Sequence, residues 1–283
     1  MTRTLLIDAD ILAYRASAGT QRSYDWNGDG NKSVAANLDE ATAQAERSVN
    51  DLIDHLQPDD VIVCLSDDFS SFRKDRVDPT YKAVRSNTER PEFLYEVKDW
   101  LRSQYVTEER TALEADDVMG ILATDPARTD ERIIVSMDKD MLTIPGQLYR
   151  PQEQIPGKKP RIRRVSAEDA ARYHLYQTII GDTTDGYPGL PGAGPSAAVA
   201  ILDEGVMWTQ VERTLKSGPR KGQVLLEWKG EPGHHTTATP WQRVVAAYNK
   251  AGLTDKHALT QARLARILHY SDYDGRSPIL WKP

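Results

Sequence analysis

The sequence predicts an α/β fold, with a mostly parallel central sheet flanked by helices. Three observations carry that prediction. Short aliphatic and β-branched runs stand at 4–7, 61–65 and 133–136, each a few residues long. Helical patterning separates them, and strand–helix alternation builds a parallel sheet. The third observation is that each run is followed closely by carboxylates: Asp8, then Asp67 with Asp68, then Asp138 and Asp140. Parallel strands share one carboxyl-end edge, where such sheets bind ligands.

Taken in order, Thr4–Ile7 reads as the first strand. The stretch 35–56 follows as a helix, with Ala41, Ala45, Val49, Leu52, Ile53 and Leu56 on one face. Val61–Leu65 is the second strand. Between Ser70 and Arg90 lie six Lys/Arg and three acids, a basic segment directly after Asp67-Asp68. Glu114-Ala-Asp116-Asp117 opens a further helix, placing Glu114 and Asp117 (i, i+3) on one side. Ile133–Ser136 is the third strand and Leu148-Tyr149 a further one. Beyond Pro151 the composition changes, and Ser166 caps a helix over 167–180. The remainder reads as helical, with Pro/Gly-rich breaks near 186–195, 217–222 and 230–240. Two domains follow: 1–150, an α/β core with a basic arch at about 70–107, and 151–283, mainly helical.

Composition sets outer limits. The 283 residues carry 28% charged and 39% hydrophobic side chains and a single cysteine. That pattern suits a globular chain and excludes an internal disulfide framework or a multi-cysteine zinc site. No run reaches the ~20 apolar residues of a membrane span, so a cytoplasmic protein is expected, with no membrane partner. The formal net charge of -6 argues at first sight against nucleic acid. Yet setting aside nine acids (Asp8, Asp67, Glu114, Asp116, Asp117, Asp138, Asp140, Asp182 and Asp185) turns -6 into +3. Any one acid after a strand or before a helix is commonly only a cap. Nine converging carboxylates would raise one another's pKa, and divalent cations remove that conflict. Oxygen donors without His or Cys favour Mg²⁺, with Mn²⁺ as a substitute. Paired ions of this kind serve phosphodiester displacement, with the basic segment as a phosphate clamp.

Several local patterns are set aside. Asp25-Trp-Asn-Gly-Asp29-Gly30 resembles the start of an EF-hand loop, but its twelfth position is Ala36. Gly189, Gly192 and Gly194 lack the Gly-Lys-Ser/Thr ending of an ATP loop. His234-His235 read as solvated, and Cys64, inside an apolar run, as an inert core residue.

The ordered motifs resemble the flap endonuclease / 5′→3′ exonuclease superfamily. They are Leu5-Leu-Ile-Asp8-Ala-Asp10-Ile-Leu-Ala-Tyr-Arg15, Ser71-Phe-Arg73, Tyr81-Lys-Ala-Val-Arg85, Leu113-Glu114-Ala-Asp116-Asp117-Val-Met119, Ser136-Met-Asp138-Lys-Asp140 and Gly181-Asp182-Thr-Thr-Asp185-Gly-Tyr-Pro-Gly189. Lys216-Ser-Gly-Pro-Arg-Lys-Gly-Gln223, the run 261–268 and the terminal Leu-Trp-Lys-Pro are similar to gene-6-type exonucleases of short-tailed phages.

The resemblance implies a PIN-like or FEN-like core with a helix–three-turn–helix element at about 175–205. It makes the nine acids the ligands of two or more Mg²⁺, some through water, with Asp67 preferred to Asp68 by its distance from Phe72-Arg73 and Asp10 a non-ligand. Asp8 and Asp117 enter the catalytic set on the same ground. Lys82 and Arg85 contact the scissile phosphate, Tyr81 stacks at the gateway, and Arg73 joins the nucleic-acid contacts. Gly189, Gly192, Gly194 and Ser196 bring backbone amides to duplex phosphates beside a monovalent cation such as K⁺. Pro195-Ser196 replaces a Lys common in cellular members. The implied activity is a Mg²⁺-dependent 5′→3′ exonuclease acting on duplex DNA, 5′ flaps and RNA·DNA hybrids. The implied setting is phage replication, primer removal and recombination, by a monomer. A PIN-type single-stranded ribonuclease, a non-catalytic DNA-binding module and a small-ester phosphatase are the rivals.

Overall fold

The structure, a computed structural model, describes residues 2–24, 33–87, 89–231 and 237–283. The EF-hand-like stretch at 25–30 and His234-His235 lie outside the described residues.

The chain starts with β1 (Arg3–Asp8), whose Leu5, Leu6 and Ile7 are buried. Asp8 then caps α1 (Ala9–Thr20), its side chain accepting from the Ile11 N–H. A short antiparallel pair, β2 (Arg22–Tyr24) and β3 (Ser33–Ala35), precedes α2 (Leu38–Leu56). The helix expected from 35 starts at Leu38 because Ala35 is paired in β3 and Asn37 caps the Glu40 N–H. Gln57, left-handed at φ 50°, ends it. Next come β4 (Asp60–Leu65), α3 (Phe72–Arg76), α4 (Leu94–Gln104), β5 (Val106–Glu109), α5 (Ala115–Ala123), β6 (Glu131–Val135), β7 (Gly146–Tyr149) and β8 (Ile162–Val165). The sheet order is β5-β4-β1-β6-β7-β8, parallel except at the β7–β8 edge. This is the expected mostly parallel α/β sheet.

The chain divides into two units, not at 150 but at 75/76, 86/87, 170/171, 266/267 and 279/280. The first comprises 1–75, 87–170 and 267–279. The sheet continues through β7 and β8, which keeps 151–170 with the core. Its apolar centre joins Leu5, Ile7, Val49, Val63, Leu101 and Ile133. Each such Leu or Ile contributes roughly 1.5–3 kcal/mol by burial. The expected arch at 70–107 is also revised. Val97 and Leu101 of α4 lie in this core, and Phe72 and Arg73 of α3 are buried, so these parts are scaffold.

The second unit comprises 76–86, 171–266 and 280–283. Within it are most of α6 (Ala167–Ile180), α7 (Pro195–Leu202), β9 (Met207–Thr214), β10 (Val224–Glu231), α8 (Pro240–Lys250) and α9 (Asp255–Ala265). The Ser166 hydroxyl accepts from the Asp169 N–H, as its capping role requires. The β9–β10 hairpin corrects the expectation of helix throughout. Val, Thr and Trp flank a Gly/Pro-rich turn there, and those residues favour strands. Among the described residues, no helix is long and apolar enough to cross a membrane.

Candidate metal and nucleic-acid site

In the first unit, the acids gather at the carboxyl ends of neighbouring parallel strands. Asp8 ends β1; Asp67 and Asp68 follow β4; Glu114 precedes α5 after β5; Asp138 and Asp140 follow β6. Their surroundings differ sharply, and those differences separate scaffold from chemistry.

Asp8 is buried at 4% exposure. It accepts from Ile11 N–H and from the Ser136 hydroxyl at 2.8 Å, while Ser136 Oγ accepts from Asp138 N–H at 3.0 Å. Burial first, then the charges of Asp10 and Asp138, push the Asp8 carboxyl up to about 7 against these hydrogen bonds. Asp138 caps the following turn by accepting from Asp140 N–H at 2.8 Å. Asp8 and Ser136 also line a cavity of about 600 Å³ together with Leu12, Arg15 and Leu52.

Asp10 and Asp68 share a cation. Lys98 Nζ lies 2.8 Å from Asp10 and 2.7 Å from Asp68, and Lys98 is 4% exposed. Burial opposes its charge, yet the two acids raise its pKa above the ordinary value. Sequence reading missed Lys98, although the signal was present. Leu94, Val97, Lys98 and Leu101 share a helical face, and a lysine on a core face requires acid partners. Ser136, the hydroxyl between Asp8 and Asp138, was missed because a serine after a strand carries no signature.

Asp67 has a different part. Its oxygens accept from Phe69 N–H, Ser70 N–H, the Ser70 hydroxyl and Ala112 N–H. Burial raises its pKa, but these donors outweigh burial and hold the carboxyl down at about 2. Asp67 therefore anchors its turn, and Asp68 is the neighbour that faces Asp10 across Lys98.

Asp117 is fully buried and held by Arg73 through two contacts, at 2.6 and 2.8 Å. It also accepts from Leu268 N–H at 3.0 Å and Glu114 N–H at 3.3 Å. Glu114 lies 3.4 Å from the same guanidinium, so the i, i+3 pair does face one way. Two implied roles are revised here. Asp117 has both oxygens committed to protein donors, so it stands as an internal counter-charge, not a direct metal ligand or catalytic group. Arg73, at 2% exposure, is its partner and not a surface contact for nucleic acid. Asp116 is half-buried on α5.

The second unit places Tyr81, Lys82, Arg85, Asp182 and Asp185 together. Lys82 Nζ is 3.7 Å from Asp185, the Arg85 guanidinium pairs with the same carboxylate, and Tyr81 Oη donates to it at 3.1 Å. Asp182 accepts from Thr184 N–H at 2.8 Å and Asp185 N–H at 3.3 Å, shaping the turn that presents Asp185. Lys82 has left-handed backbone, φ 56°, held by its N–H donating to Asp185 O at 2.8 Å. A non-glycine residue in that region stores of order 1–3 kcal/mol and is enriched at functional positions. Tyr81 is revised: at 2% exposure, packed with Tyr187, Leu264 and Ala265, its ring has no open face for a base.

Between α6 and α7 lies the glycine-rich stretch. Gly181 (φ 71°) and Gly189 (φ 69°) touch backbone to backbone, so that a Cβ on Gly189 would stand 2.4 Å from Gly181 N. Gly192 and Gly194, by contrast, face open space, and Ser196 is exposed at the start of α7. Small residues there leave the backbone approachable.

Among the described residues, no three His, Cys, Asp or Glu side chains form a group able to hold a metal as they stand. The donors at the sheet edge are nonetheless all oxygen, and the buried Asp8 faces two other acids.

By fold and site the chain is an α/β protein with acids delivered from successive parallel strands to one sheet edge. The model for the 5′-3′ exonuclease, N-terminal resolvase-like domain, matches residues 3–157. The exodeoxyribonuclease of Enterobacteria phage T3 is 36% identical over 229 residues, 78% of this chain and 73% of that protein. The exonuclease of Escherichia phage T7 is 35% identical over 229 residues, 78% and 74%. The T5 D15 protein co-crystallised with metal ions has a similar fold, with TM-score 0.53 and 17% identity over 71% of this chain and 75% of that one. The T5 D15 flap endonuclease in a complex with DNA and metal ions aligns with TM-score 0.52 and 17% identity over 72% and 75%. This chain belongs to the 5′-3′ exonuclease family.

Proposed function

We propose that the chain is a Mg²⁺-dependent 5′→3′ exonuclease acting on duplex DNA and on RNA in RNA·DNA hybrids. Cleavage of 5′ flaps belongs to the same activity, and the products carry 5′ phosphates. The observation that carries this reading is the Asp8–Ser136–Asp138 arrangement. There a buried carboxylate is pushed up to about 7 at a sheet edge rich in acids.

The donor set fits Mg²⁺, with Mn²⁺ as a substitute. Mg²⁺ keeps several waters and is commonly held by one or two carboxylates plus substrate phosphates, so a ready-made protein cage is not needed. Asp8, Glu114, Asp116, Asp138 and Asp140 are the proposed ligands of the first unit, and Asp182 and Asp185 are metal-binding carboxylates of the second. When bound, such ions lower the pKa of a coordinated water and offset charge on the phosphate. Ser136 holds Asp8 in position, and Arg73 fixes Asp117 and with it the first turn of α5. Lys82 and Arg85, both beside Asp185, would exchange that carboxylate for a phosphate oxygen and stabilise its developing charge.

Gly192, Gly194 and the Ser196 amide are proposed to receive duplex phosphates, with K⁺ as the monovalent ion of that turn. Binding should then be sequence-independent and steeply salt-dependent. The proposed setting is phage replication, primer removal and recombination, in the host cytoplasm and as a monomer; likeness to two phage exonucleases supports the phage setting.

The test is one assay with a 5′-labelled duplex and a 5′-flap substrate, in Mg²⁺ and in EDTA, using wild type and Asp138→Ala. Label should leave as mononucleotide or short oligomer, vanish with EDTA, and fall by about 10²-fold or more in the variant. Equal cleavage in EDTA overturns the metal reading. Cleavage confined to single-stranded RNA would move the chain to the PIN-type ribonucleases.

A further inference from the structure

The β9–β10 hairpin has two different ends. At its root, Trp208 packs with the core of the second unit. Lys250 Nζ sits 3.0 Å from the centroid of that ring, and a Cβ on Gly230, which pairs with Trp208, would stand 3.0 Å from it. Each strand has 8 residues, about 26 Å at roughly 3.3 Å per residue. From 220 to 227 every residue is exposed.

The tip, 215–223, contains Lys216, Arg220 and Lys221 and no acid, in a chain whose formal charge is -6. Lower down, Arg213 pairs with Glu227 and Lys229 with Glu231. Among the described residues, the three tip cations make no ion pair. The tip is also a built structure. Leu215 N–H donates to Gln223 O and Gly222 N–H to Leu215 O, both at 2.9 Å, while Lys221 N–H donates to Gly218 O at 3.1 Å. Gly218 (φ 80°) and Gly222 (φ 88°) supply the left-handed backbone that this closure needs.

Three exposed, acid-free cations on an ordered loop suit a regularly charged polyanion. A peptide adding by backbone pairing would lie along the outer edges of the two strands, whereas these cations stand in the closing loop beyond the paired residues. We propose that the hairpin tip is a second phosphate-contact surface for duplex DNA, separate from the glycine-rich turn, in which Lys216, Arg220 and Lys221 each neutralise one backbone phosphate. The inference rests on the nuclease reading for its ligand class and adds a contact that the reading does not contain.

The experiment compares wild type with the triple variant Lys216→Gln, Arg220→Gln, Lys221→Gln. Fluorescence anisotropy measures binding of a 30-bp DNA duplex in EDTA between about 50 and 300 mM KCl. Single-turnover cleavage in Mg²⁺ at saturating enzyme is measured alongside, and thermal melting checks folding. At about 0.9 per phosphate, the slope of log affinity against log salt should become less steep by about 2–3. The loss of affinity between about 50 and 200 mM salt is then about 40-fold smaller in the variant than in wild type. Saturated cleavage should stay within about twofold, since exposed substitutions of this kind leave the fold intact. An unchanged slope, with wild type and variant both cleaving, overturns the hairpin proposal and leaves the nuclease reading standing. A fall in saturated cleavage with the slope unchanged also overturns it. If wild type neither binds nor cleaves the duplex, both fail.

Discussion

Replacing Asp8 with asparagine should make the metal-free protein more stable at neutral pH, a result opposite to the usual outcome of cutting into a buried network. The Asp8 carboxyl moves from an ordinary 3.8 to about 7, by burial first and by the Asp10 charge second. A gap of about 3 units corresponds to about 4 kcal/mol at 1.36 kcal/mol per unit. With the residue 4% exposed, solvent screening removes little of this. The sign follows from which state holds the proton more tightly. Below 3.8 the carboxyl is protonated folded and unfolded, and its contribution is fully present. As pH rises through about 7 the folded state must surrender a proton it binds more tightly than the unfolded chain does, and that contribution is lost. The Asp8→Asn variant has no such loss. Allowing about 1 kcal/mol for a poorer hydrogen bond with Ser136, the variant should exceed wild type by about 2–3 kcal/mol at pH 8 in EDTA. The difference should shrink toward zero, or reverse, near pH 4. Urea unfolding followed by tryptophan fluorescence at several pH values measures it. An advantage absent at pH 8, or constant across pH, refutes the argument. Adding Mg²⁺ at about a thousand times its Kd should reverse the order, because such a ligand stabilises wild type by about 4.1 kcal/mol.

Other perturbations separate the remaining roles. Arg73→Ala strands the fully buried Asp117 and should cost about 3–5 kcal/mol in urea unfolding, part of it recovered by adding Asp117→Ala. Gly189→Ala drives a Cβ to 2.4 Å from Gly181 N and should lower the melting temperature far more than Gly192→Ala, which has a similar φ but faces open space. The second change should cost only about 1–2 kcal/mol. Lys82→Ala should reduce single-turnover cleavage by about 10²–10³-fold while duplex affinity changes by less than about threefold. A matching loss of affinity would make Lys82 a tether.

Much of this architecture is written locally. Leu5-Leu-Ile7, Val61–Leu65 and Ile133–Val135 become adjacent parallel strands because aliphatic runs of that length have no other way to bury both faces. Acids that close such runs must then reach the same edge, so Asp8, Asp67 and Asp138 were legible as neighbours. What each acid does was not legible, because it depends on partners distant in sequence. Arg73 meets Asp117 across 44 positions, Lys98 meets Asp68 across 30, and Ser136 meets Asp8 across 128. The resemblance implied nucleic-acid contacts for Tyr81 and Arg73, but matching motifs carry no burial, and here the Tyr81 ring is packed in a core while Arg73 is buried against a carboxylate. The β9–β10 hairpin was missed for another reason: its strands alternate weakly, with most side chains exposed on both faces, leaving only turn chemistry and strand-favouring residue types as signals.

The distribution of counter-charges explains how an edge so rich in acid can fold before any ion arrives. Asp117 has Arg73, Asp10 and Asp68 share Lys98, and Asp67 has a ring of amide donors. Among the described residues, Asp8 and Asp138 make no ion pair; a serine hydroxyl and backbone amides are their hydrogen-bond donors, and Asp8 also faces the charges of Asp10 and Asp138. If every acid were unpaired, repulsion would open the edge; if every acid were paired, a metal would have to displace a protein cation at each position. Resident cations hold most of the carboxylates, and the electrostatic deficit is concentrated at the junction of β1 and β6. A divalent cation gains most where that deficit lies, so metal binding, pH and folding stability should all converge on the same two strand ends.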